Sequence, residues 1–247
     1  MRCFQAPDNG GLMKKPHPII QIALAALTLE ACGDDTTAPP VMPLPEPGSF
    51  VATVTNSFFP LIPGTLWSYQ SRDGVETNTV EVLGETKTIL GIPATIVHDE
   101  VFSDGQLTED TFDWYAQDGD GNVWYLGEDS REIEGGQVVS TEGSWEAGVN
   151  GAQAGIIMWA DPGSHIGEEY RQEFAEGEAE DVGKVVAVNE TVTVPFGSFS
   201  GCVKTEDRNL LEPGTENKFY CPDVGTTLEY PAQAPDERTE LIDLTGP

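Results

Sequence analysis

Basic side chains are scarce in this chain. Twelve Lys and Arg stand against 42 Asp and Glu, a formal charge of −30. A surface of that sign repels nucleic-acid phosphates and anionic headgroups, so DNA and RNA are excluded as partners. Histidine is sparse too, with three in 247 residues, which leaves few places for imidazole acid–base or metal chemistry. Cysteine is limited to Cys3, Cys32, Cys202 and Cys221. That excludes a disulfide-built mini-domain. No second Cys or His stands close to Cys202 or Cys221, as a zinc site would need. There is no Gly-x-Ser-x-Gly elbow, no Walker loop and no dinucleotide fingerprint. Sustained helical periodicity is also missing: no twelve-residue window keeps it.

Long apolar runs are missing except one. Ile19 to Leu29 is apolar apart from Gln21 and Thr28. It is too short to span a bilayer core, which needs roughly 20 residues. Lys14 and Lys15 precede it, so Met13–Cys32 reads as a secretory signal with Met13 as the start. The closing Leu29-Glu30-Ala31-Cys32 resembles the lipobox of bacterial lipoproteins. Glu30 departs from the small or apolar residue usual there. The resemblance implies that Cys32 is lipidated and becomes the mature N-terminus. The partner is then a membrane, reached through the N-terminal lipid. The location is the bacterial cell envelope, at the outer membrane or cell surface; without the lipid the protein is secreted. From Cys32 onward 9 basic and 40 acidic side chains remain.

Three regions follow. Residues 1–32 are the signal peptide with its lipobox. Residues 33–49, containing DDTTAPPVMPLPEPGS, form a Pro-rich, disordered, solvated linker. Residues 50–247 form one domain large enough for its own core. Its signals are β: Thr, Val, Tyr, Trp and Phe recur in short runs, the first a candidate strand at 51–56, between Gly, Pro, Asn and Asp. Asp73-Gly74, Asp104-Gly105, Asp120-Gly121 and Gly135-Gly136 mark hairpin turns. The expected fold is all-β, a single antiparallel domain, either a curled sheet or barrel or a two-layer sandwich. Gly143–Gly167 lacks alternation and reads as a long loop able to cover a barrel mouth with Trp145, Met158 and Trp159. Cys202 and Cys221 are expected to pair in an oxidising compartment, the alternative being two buried thiols.

Three stretches together resemble a family of uncharacterised bacterial secreted proteins and lipoproteins. They are NSFFPLIPGTLWSY (56–69), DWYAQD (113–118) with GNVWYLGE (121–128), and YRQE (170–173) with Ala179-Glu180-Asp181 and VPFGSF (194–199). The resemblance covers roughly 56–230 and implies a β-rich fold. It implies no particular activity.

Within 111–117, Phe112, Trp114 and Ala116 share one strand face and Thr111, Asp113, Tyr115 and Gln117 the other. Asp113, Tyr115, Gln117, Trp145 and Trp159 are therefore candidate ligand-lining residues. Asp118, Asp120 and Asn122 set oxygens at alternate turn positions, as calcium loops do. However, Val123 stands where such a loop needs Gly, and Asp129 where it needs Glu. Glu173 leads a run of carboxylates that could add to a weak divalent site. Ca²⁺ is thus the one cofactor to consider, and none is certain. The leading reading is an exported envelope lipoprotein whose β domain binds a small ligand or an envelope protein, with no catalytic activity evident. The alternatives are a carboxylate-dependent extracellular hydrolase and a passive acidic surface protein.

Overall fold

The computed structural model describes residues 38–246; the signal segment, Cys32 and positions 33–37 lie outside them. The strands run in chain order as β1 (Leu66–Ser71), β2 (Glu76–Ile89), β3 (Ile92–Ser103) and β4 (Gln106–Gln117). Next come β5 (Val123–Asp129), β6 (Glu132–Glu134), β7 (Gln137–Ser140), β8 (Trp145–Glu146) and β9 (Gln153–Met158). The second half holds β10 (Glu169–Arg171), β11 (Glu173–Phe174), β12 (Asp181–Val194) and β13 (Gly197–Asn209). β14 (Glu216–Cys221), β15 (Gly225–Pro231) and β16 (Thr239–Thr245) complete it. The domain is all-β and antiparallel, as expected.

Local chemistry sets the hairpins. All four expected Gly-containing pairs fall at turns, and Asp104 and Gly105 both take positive φ (49° and 75°), the pattern of a tight two-residue hairpin. Leu90-Gly91 makes a further such turn between β2 and β3, with Leu90 at φ 51°.

Strand order is β10-β12-β13-β14-β15-β16-β1-β2-β3-β4-β5-β9-β11. Residues 169–174 stand at both ends of that list. Glu169–Arg171 pairs with β12, and Glu173–Phe174 pairs with β9. One short segment thus joins the two edges and nearly closes the sheet into a barrel. Closure also needs a glycine: a Cβ on Gly155 would collide with the carbonyl oxygens of Arg171 and Gln172.

Two apolar clusters result. One fills an end of the barrel with Trp67, Val82, Val97, Val123, Met158, Tyr220 and Leu241, and Phe58 and Phe59 pack against it. The other lies on the opposite face of β3–β5 and β9, around Trp114, Trp124, Leu126 and Ile156, with Leu44 and Phe50 packed on it.

Three local expectations change. The first concerns the tether, whose portion 38–49 packs on the domain instead of running free in solvent. Arg171 Nε donates to the Pro39 carbonyl at 3.3 Å, Leu44 joins the core, and Pro47–Ser49 makes one 3₁₀ turn. A Pro-rich chain lacks many N–H donors, so it can cross an apolar face without a ladder partner. Residues 51–56, expected as a strand, make only isolated bridges: Val54 pairs with Leu61, and Phe50 just before them with Asp118. Finally, 143–167 is not one long loop, because it contains β8 and β9. The Gly-rich composition hid strands whose close packing requires glycine.

Candidate functional site

Side chains alternate across a strand, and directly paired residues share a face. The register therefore assigns the inner face strand by strand. Val80 faces Asp99, Val97 faces Asp113, and Asp113 faces Glu128. On the other wall Gly183 faces Asp207, Asp207 faces Glu216, Thr205 faces Lys218, and Lys218 faces Glu229. β4 and β14 are six strands apart in the sheet, about 29 Å along its surface at ~4.8 Å per strand. Yet the Lys218 ammonium acts on the Asp113 carboxylate. Only across the barrel interior can the two sense each other.

That interior is an acidic chamber. Asp99, Asp113, Glu128, Glu173, Asp181, Asp207 and Glu229 all contribute carboxylates to it. Lys218 is the ammonium among them, with Nζ 3.4 Å from Glu216 and 3.9 Å from Glu229. The Lys218 side chain keeps 28% of its accessibility and that of Glu229 31%, although strands enclose both. Enclosed groups stay accessible only where the interior leaves room for water.

The electrostatics follow from crowding of like charges between strands that only partly admit water. Burial pushes the Asp113 carboxyl up to about 6, with Glu109 adding to the shift and a hydrogen bond from Tyr125 opposing it. Burial pushes Glu229 up to about 7 against the pull of Lys218. Asp181 rises to about 6, mainly through burial, again against Lys218. Asp99, Glu128 and Glu173 are raised well above the usual carboxylate range, first by burial and then by neighbouring acids. Burial alone would lower Lys218, but Glu229 and Glu216 outweigh it and hold the ammonium well above its ordinary value.

Aromatic rings form the floor between chamber and apolar plug. Tyr115 stacks on Tyr125 at 4.7 Å, and Phe59 meets Tyr115 edge-on at 5.1 Å. Tyr125 Oη donates to Asp113 Oδ1 at 2.6 Å. Trp145 stands edge-on to Tyr125 at 5.4 Å, and its Nε1 donates to Glu173 Oε2 at 2.8 Å. Of the five candidate lining residues, Asp113, Tyr115 and Trp145 thus meet at the chamber.

Gln117 and Trp159 do not. The Gln117 amide oxygen accepts from the backbone N–H groups of Thr55 and Asn56 at 2.7 and 2.8 Å. It fixes the segment that plugs the apolar end. Trp159 is buried between His165, stacked at 3.9 Å, and Tyr170, edge-on at 5.4 Å. Hydrogen bonds hold Gln117 there and packing holds the Trp159 ring, whose Nε1 is buried without a hydrogen-bond partner.

The calcium set does not come together either. Asp118 accepts from Asp120 N (3.0 Å), Asn122 N (2.9 Å), Asn122 Nδ2 (3.0 Å) and Trp124 Nε1 (2.8 Å). Asn122 Oδ1 accepts from Ala160 N at 3.0 Å. The turn is satisfied by its own N–H groups, as Asp-led turns are. Glu173 belongs to the chamber with Trp145. Among the described residues no three His, Cys, Asp or Glu side chains adopt metal-site geometry. Cys202 and Cys221 form the expected disulfide.

Sequence reasoning missed Asp99, Glu128, Asp207, Lys218 and Glu229. A signal existed: in Glu216-Asn-Lys-Phe-Tyr220, Lys218 shares its strand face with Tyr220, which is an inward position for a charge.

No protein-family model and no curated protein matches the chain. Two solved structures are similar. One is a proposed exported protein with a YMCC-like fold from Bacteroides fragilis, at 15% identity and TM-score 0.45, covering 77% of this chain and 100% of that one. The other is a proposed lipoprotein from Parabacteroides distasonis, at 13% identity and TM-score 0.40, covering 77% of this chain and 99% of that one. Both scores lie below 0.5, so the fold and site stand on this chain's own residues.

Proposed function

We propose that this is an exported, lipid-anchored envelope protein whose barrel binds a small ligand in its acidic chamber. The observation that carries the binding reading is the ring of inward carboxylates around Lys218, above a floor of Tyr115 and Tyr125. A barrel that needed only stability would fill this space with apolar side chains, because buried charge costs more than it returns. The signal and lipobox residues 13–32 support export and anchoring at Cys32. The Cys202–Cys221 bond fits an oxidising compartment.

Two measurements test this. Cys32→Ala moves the protein from the membrane fraction to the soluble fraction; unchanged membrane association removes the anchor. A thermal-shift panel of cationic, neutral and anionic small molecules on the full chain is expected to give a ligand whose effect is lost in Asp113→Asn. If no class of molecule shifts the melting temperature, the chamber is not a binding site.

A second reading has one observation of its own. Asp113 and Glu128 are register partners with raised proton affinity, and a carboxyl pair of that kind can act as acid and base. Hydrolysis of an envelope glycan or ester, abolished by Glu128→Gln, would support a hydrolase. Inactivity across such substrates retires it.

A further inference from the structure

This acidic protein carries an uncharged apolar groove on its outside. Val41, Met42 and Leu44 of the N-terminal segment line it, with Leu90, Ala152 and Ala154. Gln153 adds a polar side chain, and no charged residue lines it. Nor does any charge occur from Ala38 to Pro45. Glu146, which precedes the groove's Gly148 turn, is paired with Lys87 at 2.7 Å. In a chain of formal charge −30, an apolar patch of this kind marks a place of contact.

Three exposed apolar side chains surround the groove. Leu90 forms the tip of the β2–β3 hairpin, is 53% exposed and takes φ 51°. The other described non-glycine residues at positive φ are Asp104, Asn150, Asn189 and Asp223, types that tolerate it. A two-residue hairpin turn favours Asn, Asp or Gly at the Leu90 position, so the backbone gains nothing from Leu. Burial does not explain it either, because half of the residue stays in solvent. Val149, 48% exposed, stands on the turn that Gly148 N closes by donating to the Ala152 carbonyl at 2.8 Å. Met42 is 37% exposed. Two turns and the N-terminal segment thus bring apolar side chains to one place.

The covalent path indicates what covers them. Buried Arg171 holds the Pro39 carbonyl, and Leu44 packs on the core. Seven residue steps separate Pro39 from Cys32, a reach of at most about 25 Å. A tether free as far as Phe50 would reach about 60 Å. A bilayer that holds a lipid on Cys32 is therefore close to Pro39, and Val41 and Met42 follow Pro39 directly in the chain. The acidic coat repels anionic headgroups, so an uncharged face is the one suited to close contact. We propose that Met42, Leu90 and Val149 are the membrane-facing surface of the anchored protein and enter the interface of a bilayer with zwitterionic headgroups. The surface orients a protein that the lipid already holds. It rests on the reading of Cys32 as the lipid anchor and is independent of the chamber.

The test uses the full lipidated chain in phosphatidylcholine vesicles, with an environment-sensitive fluorophore on one introduced cysteine. Cys202 and Cys221 are joined, so the introduced thiol takes the label. Leu90→Cys and Met42→Cys are the probes, and Val75→Cys is the control. Val75 is 42% exposed and precedes β2, whereas Leu90 follows it, so about 45 Å of strand separates the two. Interfacial side chains enter about 5–10 Å, so both probes should lose about half their emission to a doxyl quencher at shallow acyl positions. Val75→Cys should keep its emission. If Leu90→Cys does not fold, Met42→Cys decides. Full emission at the probes, in protein that floats with the vesicles, overturns the surface and leaves the anchor standing. Equal quenching at Val75→Cys also overturns it, because no face is then preferred. A blue shift at the probes without quenching means that a second copy covers the groove, and the membrane assignment falls. Protein that does not float removes the anchor, and the surface falls with it.

Discussion

β3 and β14, which carry Val97 and Tyr220 into an apolar plug, carry Asp99 and Lys218 into the acidic chamber two residues away. Same strands, same inner face, opposite chemistry. At the plugged end, packing is complete: Leu241, Val82 and Cys221 have no accessible surface. At the chamber end, acids outnumber the cation that serves them, and several hold protons near neutral pH. One end supplies stability that the other spends on charge. Close packing and buried charge are thus separated along the barrel axis.

Mutations at the two ends should therefore behave differently. The largest effect is expected from Leu241→Ala in the plug. Removing a fully buried Leu costs about 2–5 kcal/mol, read as a lower midpoint in chemical denaturation. A cost below 1 kcal/mol would mean that the plug is loosely packed. Replacing Cys202 and Cys221 by Ala, also at that end, should cost about 3 kcal/mol by freeing the loop between them. An unchanged melting temperature would contradict it.

The chamber should respond to pH instead. Glu229 titrates near 7 in the fold, against an ordinary value of 4.5, and Asp113 and Asp181 near 6, against 3.8. The folded state therefore holds protons that the unfolded chain has released. Between about pH 4 and pH 7 stability falls as pH rises, because those protons leave and buried charge appears. Melting temperature should be higher at pH 5 than at pH 8, and Glu229→Gln should flatten part of that slope. A flat wild-type profile would mean that the chamber acids are as hydrated as surface ones. The smallest effect belongs to Asp120, an exposed acid in neither region. Asp120→Ala should change stability by no more than about 0.5 kcal/mol, with or without calcium. A calcium-dependent loss would restore the metal reading of that turn.

The β class, the turn pairs and the Asp113–Tyr115 face were legible in the sequence, because alternation and Gly-led turns are local. The chamber was not. An inward Asp99 and an outward Glu100 look alike until the barrel supplies the register. Gln117 had the right face but the wrong height, because the same face is a chamber wall at Asp113 and a plug anchor at Gln117. β9 escaped because Gly155, which reads as loop, is the residue that lets the seam close. The Pro-rich stretch looked solvated by composition, yet Leu44 and the Pro39 carbonyl gave it footholds that composition does not encode.

The seam itself has a mechanical consequence. β12 and β13 are laddered from Asp181–Asn209 to Val194–Gly197, whereas residues 169–174 hold β12 by three register pairs and β9 by two. A ring of strands yields first at its shortest ladders, of which this is one and β15–β16, with two pairs, another. Amide protons there should exchange with solvent sooner than those of the β12–β13 ladder. Glu173 and Asp181 flank this seam, and Arg171 ties it to Pro39 on the N-terminal segment. Tension on the N-terminal segment would therefore be delivered to one of the thinnest seams of the barrel wall.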